Sequence, residues 1–283
     1  VTALTSAMVG LPLSGWRIEL EITGRCQLNC VHCYADSGPT GDQGTMTADD
    51  WSTLITEAAA AGASGIQFIG GEPTLHPQFT ELLQHAIGTA LKVEVFSNLV
   101  HVREEWWELF GYPNVSLAFS YYSDHTAEHS AITGRANSHA RTKENVAEAV
   151  RRGIALRAGI VEIVDGQRVR QARAELAAMG VMNARIDRVR GAGRETLARP
   201  DVSQLCGGCG INKAAIGTNG DVWPCVLSRF MVAGNVKATP LAEILYGRRW
   251  RELVASVPVK RSGCNPDSDG NDCSPAETLV DPY

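Results

Sequence analysis

The order of apolar and polar residues predicts an α/β fold built on a parallel sheet. Two observations carry this prediction. Short β-like runs alternate with amphipathic helical stretches from residue 17 to about 190, and the helical stretches frequently end at a glycine, a common helix stop. Each crossover must return the chain to the same end of the sheet, so successive strands run parallel. Ligands gather at the carboxyl ends of strands in such folds, so the residues just after each β run should carry the chemistry.

The β runs are RIELEIT (17–23), GIQFIG (65–70), KVEVFSN (92–98), NVSLAFS (114–120), IALRAGIVEIV (154–164) and NARIDRVR (183–190). Between them lie MTADDWSTLITEAAAAG, HPQFTELLQHAIGTA, HVREEWWELF, NSHARTKENVAEAVRRG and QRVRQARAELAAMG, with apolar residues at helical spacing. Thr47 ahead of Asp49 and Asp50 reads as a helix cap, acids being favoured in a first turn. After about residue 195 glycine, proline and cysteine become denser, and one further helix is expected over TPLAEILYGRRWRELVAS. The expected division is an N-terminal segment (1–16), the α/β region (17–195) and a cysteine-rich extension (196–283) whose tail has no room for a core of its own.

Composition bounds the function. The chain has 283 residues, 44% hydrophobic, and no apolar run long enough to span a bilayer. A formal charge of −5 with mixed signs argues against general nucleic-acid or membrane binding. VTALTSAMVGLPLSGW has neither the basic start nor the long apolar centre of a secretion signal, so a cytoplasmic location is expected. Eight cysteines fall into two groups, at 26, 30 and 33 and then from 206 to 273, which suits two metal sites in a reducing compartment better than a disulfide framework.

Cys26, Cys30 and Cys33 form C-x3-C-x2-C directly after the first β run. Soft thiolates select zinc or iron–sulfur clusters, and three of them leave one coordination position open. The loop alone admits either an open four-iron cluster or a zinc knuckle completed by His32 or a distant residue. GGEPTLHP ends the second β run on the same rim. There Gly70 and Gly71 permit close backbone approach to a ligand, Glu72 offers a carboxylate to an ammonium group, and Pro73 fixes the following turn.

Together these two motifs resemble the radical S-adenosylmethionine (radical SAM) superfamily over about residues 17–190. The resemblance implies a partial (β/α)6 barrel in which Cys26, Cys30 and Cys33 hold a [4Fe–4S] cluster. The open iron of that cluster takes the amino and carboxylate groups of SAM, and a one-electron reductant of flavodoxin or ferredoxin type supplies it. It further implies that Gly70, Gly71 and Glu72 contact the SAM amino group and that Tyr34 lies near the adenine. Ser97, Asn98 and Ser120 serve the ribose and carboxylate by the same likeness, with turn capping as the other reading. Arg135 and Arg190 are candidates for the SAM carboxylate, against a surface role.

The C-terminal CGGC…GDVWPC, followed by Cys264 and Cys273, looks like a shortened SPASM or twitch-type cluster domain. Cys206, Cys209, Cys225, Cys264 and Cys273 suffice for one fully ligated auxiliary [4Fe–4S] cluster, the competing reading being a zinc ribbon. A fully ligated cluster suits electron transfer or positioning. The function this implies is radical modification of a ribosomally made peptide, with cross-linking of side chains. Two alternatives stand beside it: tailoring of a small molecule, and a non-catalytic zinc-binding interaction protein. Only about sixteen residues precede the first β run, so leader recognition is expected from the barrel itself or from a separate partner protein.

Overall fold

The computed structural model describes residues 12–195 and 200–258. Its sheet has nine strands in the order β6-β5-β4-β3-β2-β1-β7-β8-β9. The six expected strands are β1 (Arg17–Glu21), β2 (Gly65–Ile69), β3 (Lys92–Ser97), β4 (Val115–Ser120), β5 (Leu156–Glu162) and β6 (Ala184–Arg188), all parallel and in sequence order. Helices α1 (Ala48–Ala60), α2 (Phe79–Ile87), α3 (Glu104–Phe110), α4 (Thr126–Thr133), α5 (Ser138–Arg151) and α6 (Val169–Ala178) lie on the crossovers. Thr47 caps α1 as expected: its hydroxyl accepts from the Asp50 amide at 3.1 Å, and the Asp50 carboxylate accepts from the Thr47 amide at 2.8 Å.

Strand alternation gives the sheet two different faces. Ile18, Leu20, Val93, Val95, Ala158 and Ile160 belong to the one large apolar core shared with the helices. The intervening residues, including Glu19, Glu21, Glu94 and Arg157, lie on the opposite face. Near the amino ends of the strands Glu94 accepts from Arg157 at 2.7 and 2.8 Å, and also from Arg17 and Gln67. Burial opposes ionisation of Glu94, but the Arg157 and Arg17 guanidiniums and the Gln67 amide outweigh it and hold the carboxyl below its usual range. This network ties four strands together away from the rim where ligands are expected.

The cysteine-rich extension continues the sheet: β7 (Lys213–Ile216) pairs parallel with β1, and β8 (Asp221–Trp223) and β9 (Gly234–Asn235) follow antiparallel. One expectation there needs correction. The single helix expected over 239–256 is two, α7 (Leu241–Tyr246) and α8 (Arg248–Ala255), because Gly247 is extended (ψ 163°) and breaks the ladder. Trp250 and Tyr246 pack on Trp16, with ring centroids 5.7 and 6.3 Å apart, so these helices fold back onto the start of β1. Cys264 and Cys273 lie outside the described residues.

Candidate active site and auxiliary thiol cluster

Residues 22–38 leave the carboxyl end of β1 and are held by backbone bonds from three sides. The first is the GGEP turn: Gly71 donates to the Thr23 carbonyl and Glu72 to that of Arg25, each at 2.7 Å. A Cβ on Gly70 would sit 2.4 Å from the Thr23 oxygen, and one on Gly71 would sit 2.2 Å from the Arg25 oxygen. The close approach that the glycines permit is therefore to the cysteine loop's own backbone. The second side is the end of α4, where the Thr133 and Ile132 carbonyls accept from Asn29 and Val31, each at 3.0 Å. The third is the segment after β6. Arg194 donates through its amide to the Cys33 carbonyl at 3.1 Å and through its guanidinium to the Cys30 carbonyl at 2.6 Å.

Glu72 is fully buried, and burial pushes its carboxyl up despite four donors. Those donors are the Asn98 amide at 2.8 Å, the Thr74 hydroxyl and amide at 2.7 and 3.3 Å, and the Ser97 hydroxyl at 2.8 Å. Glu72 thus locks the end of β3 to the end of β2. Pro73 starts the short turn that supplies Thr74. Asn98 reaches on to the Cys26 sulfur, its side-chain amide lying 3.7 Å away. The structure brings Glu72, Ser97, Asn98 and Cys26 into one bonded group.

Ser120 enters through Tyr122, a buried residue whose hydroxyl bonds to Ser120 and to Cys30. The Tyr122 ring packs edge-on against His32 at 4.9 Å, and burial lowers that imidazole to about 4. Tyr34 lies near Glu21, Cys33 and Arg229; burial, then those negative groups, raise its phenol well above its usual range. Arg135 is exposed and donates to the Gln27 carbonyl at 3.0 Å, on the edge of a groove of about 950 Å³. Arg190 points elsewhere, to Asp187 at 2.8 and 3.0 Å and to Cys206.

The loop residues suit an iron–sulfur cluster. Burial above all, with Glu72 beside Cys26 and Cys33 beside Cys30, pushes the Cys26 and Cys30 thiols to about 12, so these groups need metal to ionise. The Cys26 sulfur already accepts from the Leu28 amide at 3.4 Å and the Cys33 sulfur from the Ser37 amide at 3.3 Å. Among the described residues no three His, Cys, Asp or Glu side chains converge on a single ion.

Cys206, Cys209 and Cys225 form the second group, all buried. Cys209 and Cys225 lie close enough to perturb each other: Cys225 and burial raise the Cys209 thiol, Cys209 lowers that of Cys225, and Lys213 lowers both. The Cys225 sulfur accepts from the Leu227 amide at 3.3 Å. A small second core of Leu205, Met231 and Leu253 surrounds these thiols.

Residues 20–166 match the family model of the radical SAM superfamily. The chain belongs to that superfamily. Radical SAM proteins bind a [4Fe–4S] cluster and SAM, and residues 199–274 match the SPASM model, an iron–sulfur cluster-binding domain. The PqqA peptide cyclase of Bradyrhizobium diazoefficiens is 31% identical over 143 residues, which cover 50% of this chain and 36% of that protein. The sporulation killing factor maturation protein SkfB of Bacillus subtilis is 35% identical over 111 residues, 39% of this chain and 26% of its own. The radical SAM chain therefore spans roughly a third or less of these curated relatives. Streptococcus suis SuiB bound to S-adenosylmethionine superimposes with a TM-score of 0.71 at 14% identity, covering 87% of this chain and 68% of that one. Native anSMEcpe with bound AdoMet and Cp18Cys peptide gives 0.63, at the same identity and 87% and 84% coverage. The partial barrel is thereby established for this radical SAM chain.

Sequence reasoning missed several supporting residues. Arg194 and Gly193, in GAGR, hold the loop, and Gly193 leaves no room for a Cβ, which would fall 2.0 Å from the Cys33 oxygen. Arg229 ion-pairs with buried Glu21 and stacks 4.6 Å over the Trp223 ring. The alternation in RIELE, with acids opposite apolar residues on a central strand, was a legible sign that this face does more than pack.

Proposed function

We propose that this chain cleaves SAM reductively at the Cys26–Cys30–Cys33 loop and uses the radical to modify a ribosomally made peptide, forming a bond between side chains. One observation carries the reading: a three-thiol loop held in place by GGEP, with a second buried thiol group in the turns that flank the strands extending the same sheet. A [4Fe–4S] cluster held by Cys26, Cys30 and Cys33 would supply the electron for reductive cleavage of bound SAM and so the radical chemistry directed at the substrate.

The protein's own part is positional. Glu72 fixes Ser97 and Asn98 beside Cys26, where they face the SAM ribose and carboxylate. Tyr34 and Ser120 line the same rim, Arg135 keeps the loop backbone oriented through Gln27, and the Gly70–Gly71 turn presents backbone to the SAM amino group. Cys206, Cys209 and Cys225, with Cys264 and Cys273 to draw on, ligate one auxiliary [4Fe–4S] cluster. A peptide substrate is supported by relatives named as a peptide cyclase and a maturation protein, and by a fold neighbour titled as SuiB bound to precursor peptide SuiA. In this reading a flavodoxin- or ferredoxin-type donor supplies the electron, and the leader is recognised by the barrel itself or by a separate partner protein, in the cytoplasm. Among the described residues no helix is long and apolar enough to cross a membrane.

Anaerobic reconstitution tests this. Two four-iron clusters mean about eight irons per chain. Cys26→Ala, Cys30→Ala and Cys33→Ala should abolish 5′-deoxyadenosine formation, whereas Cys206→Ala and Cys225→Ala should retain some and lose peptide product. SAM cleavage that survives loss of the loop thiols refutes the assignment.

A further inference from the structure

Residues 190–194 touch both thiol groups. At one end Arg190 is buried near Cys206, and its Nη2 donates to both Asp187 carboxylate oxygens at 2.8 and 3.0 Å. Beside it the Gly191 amide donates at 3.1 Å to Gln204, which lies in the short turn (Val202–Gln204) just before Cys206. At the other end Gly193 packs on the Cys33 and Tyr34 backbone. Arg194 there spans the Cys30 and Ser37 carbonyls and pairs with Asp36 at 2.9 Å. Lys213, buried on β7, faces Cys209 and Cys225 from the barrel side.

A hydrogen bond or positive charge at a ligand sulfur favours the more negative, reduced form of a cluster and so raises its potential. A buried guanidinium held by a carboxylate keeps its positive charge in one place. We infer that residues 190–194 are a strap joining the two iron–sulfur sites, in which Arg190 is a positioning residue that raises the potential of the auxiliary cluster through Cys206 and Arg194 is its counterpart on the SAM-binding loop. The strap makes the auxiliary site a better electron acceptor than its five-cysteine sequence implies, and it fixes the separation of the two clusters. This inference rests on the two-cluster reading above.

The test is an EPR-monitored potentiometric titration of the fully loaded, oxygen-free protein. Arg190→Met should move the auxiliary midpoint to more negative potential, leaving the loop cluster's midpoint and its spectral response to SAM as in the unsubstituted protein. Arg190→Lys keeps the charge but not the guanidinium's hold on both Asp187 oxygens, so it should shift the auxiliary midpoint the same way by less. Arg194→Met should disturb the loop cluster's response to SAM and spare the auxiliary midpoint. An auxiliary midpoint unmoved by both Arg190 substitutions, or both clusters shifting alike in every variant, overturns the strap. An unsubstituted protein that loads only about four irons overturns the two-cluster reading first, and the strap with it, before any variant is made.

Discussion

Gly71→Ala is the sharpest probe of how the loop is held. Gly71 is not in a left-handed conformation, so a side chain there costs nothing in backbone strain; the cost is space alone. The added Cβ would fall 2.2 Å from the Arg25 oxygen and 2.6 Å from its carbon, both main-chain atoms that cannot rotate away. Relieving the clash means parting β2's rim from the loop, which stretches the two 2.7 Å bonds from Gly71 to Thr23 and from Glu72 to Arg25. Overpacking costs about 1–3 kcal/mol and each lost bond about 1 kcal/mol, so the expected loss is about 3–5 kcal/mol. For a domain of this class that corresponds to a fall in Tm of about 6–20 °C. Gly62→Ala is the control: Gly62 has φ +80° but nothing within 4 Å of its Cβ position, so it should lose only the left-handed penalty of about 1–2 kcal/mol. Denaturant unfolding of the two variants with iron absent measures the difference. A Gly71→Ala protein no less stable than Gly62→Ala would refute the argument.

Three other outcomes follow from the geometry. Arg229→Met strands the Glu21 carboxylate, which is almost wholly buried, and should cost about 3–5 kcal/mol by urea unfolding, with Glu21→Gln added in the same chain recovering much of it; equal losses in the single and double variants would show that the pair carries no charge coupling. His129 is lowered to about 3, by burial first and by His139 second. The unfolded chain therefore binds the extra proton between pH 6.5 and about 3, and stability should rise with pH across that window and fall as acid is added. Stability that stays flat from pH 6.5 to 4 contradicts a neutral, buried His129. In iron-free protein the amides of Cys26, Asn29, Gly71 and Arg194 should remain protected in hydrogen exchange, since their acceptors are backbone carbonyls of the fold itself; exchange as fast as in a frayed loop would mean the metal builds the loop.

The strands were legible because parallel strands buried by helices write their pattern plainly: GIQFI and KVEVFS were placed within a residue of their ends. Helix α4 was not. The polarity of DHTAEHSAIT conceals it, because α4 buries His129 and Thr133 beside one aliphatic side chain, Ile132. Strand β7 escaped for another reason, since four residues, KAAI, carry no periodicity and only pairing with β1 defines them. The three thiols and GGEP could be read as a site because their chemistry is local. What the second motif does could not, since the partners of Gly70 and Gly71 lie some 45 residues earlier in the chain, at Thr23 and Arg25. Arg190 was read as a candidate for the SAM carboxylate against a surface role, and its burial beside Asp187 and Cys206 was not legible, because Cys206 arrives from the extension.

The two thiol groups are linked twice, and the two links differ in kind. Residues 190–194 connect them largely through backbone and guanidinium contacts to carbonyls, which fix distance. Arg229, four positions after Cys225, reaches Glu21 on β1 and lies near Tyr34, just after Cys33, which places a buried charge pair between the groups. A buried ion pair is weak evidence for stability, because desolvation offsets its attraction; hydrophobic residues of similar volume would hold the fold as well. Its retention at this position is better accounted for by the polarity it gives to the space facing both sites. On the same face near the strands' amino ends, Glu94 is already satisfied by Arg17, Arg157 and Gln67, so the network there closes the sheet. The Glu21–Arg229 pair lies instead at the carboxyl end of β1, beside the cysteine loop, where it puts a charged group on the rim.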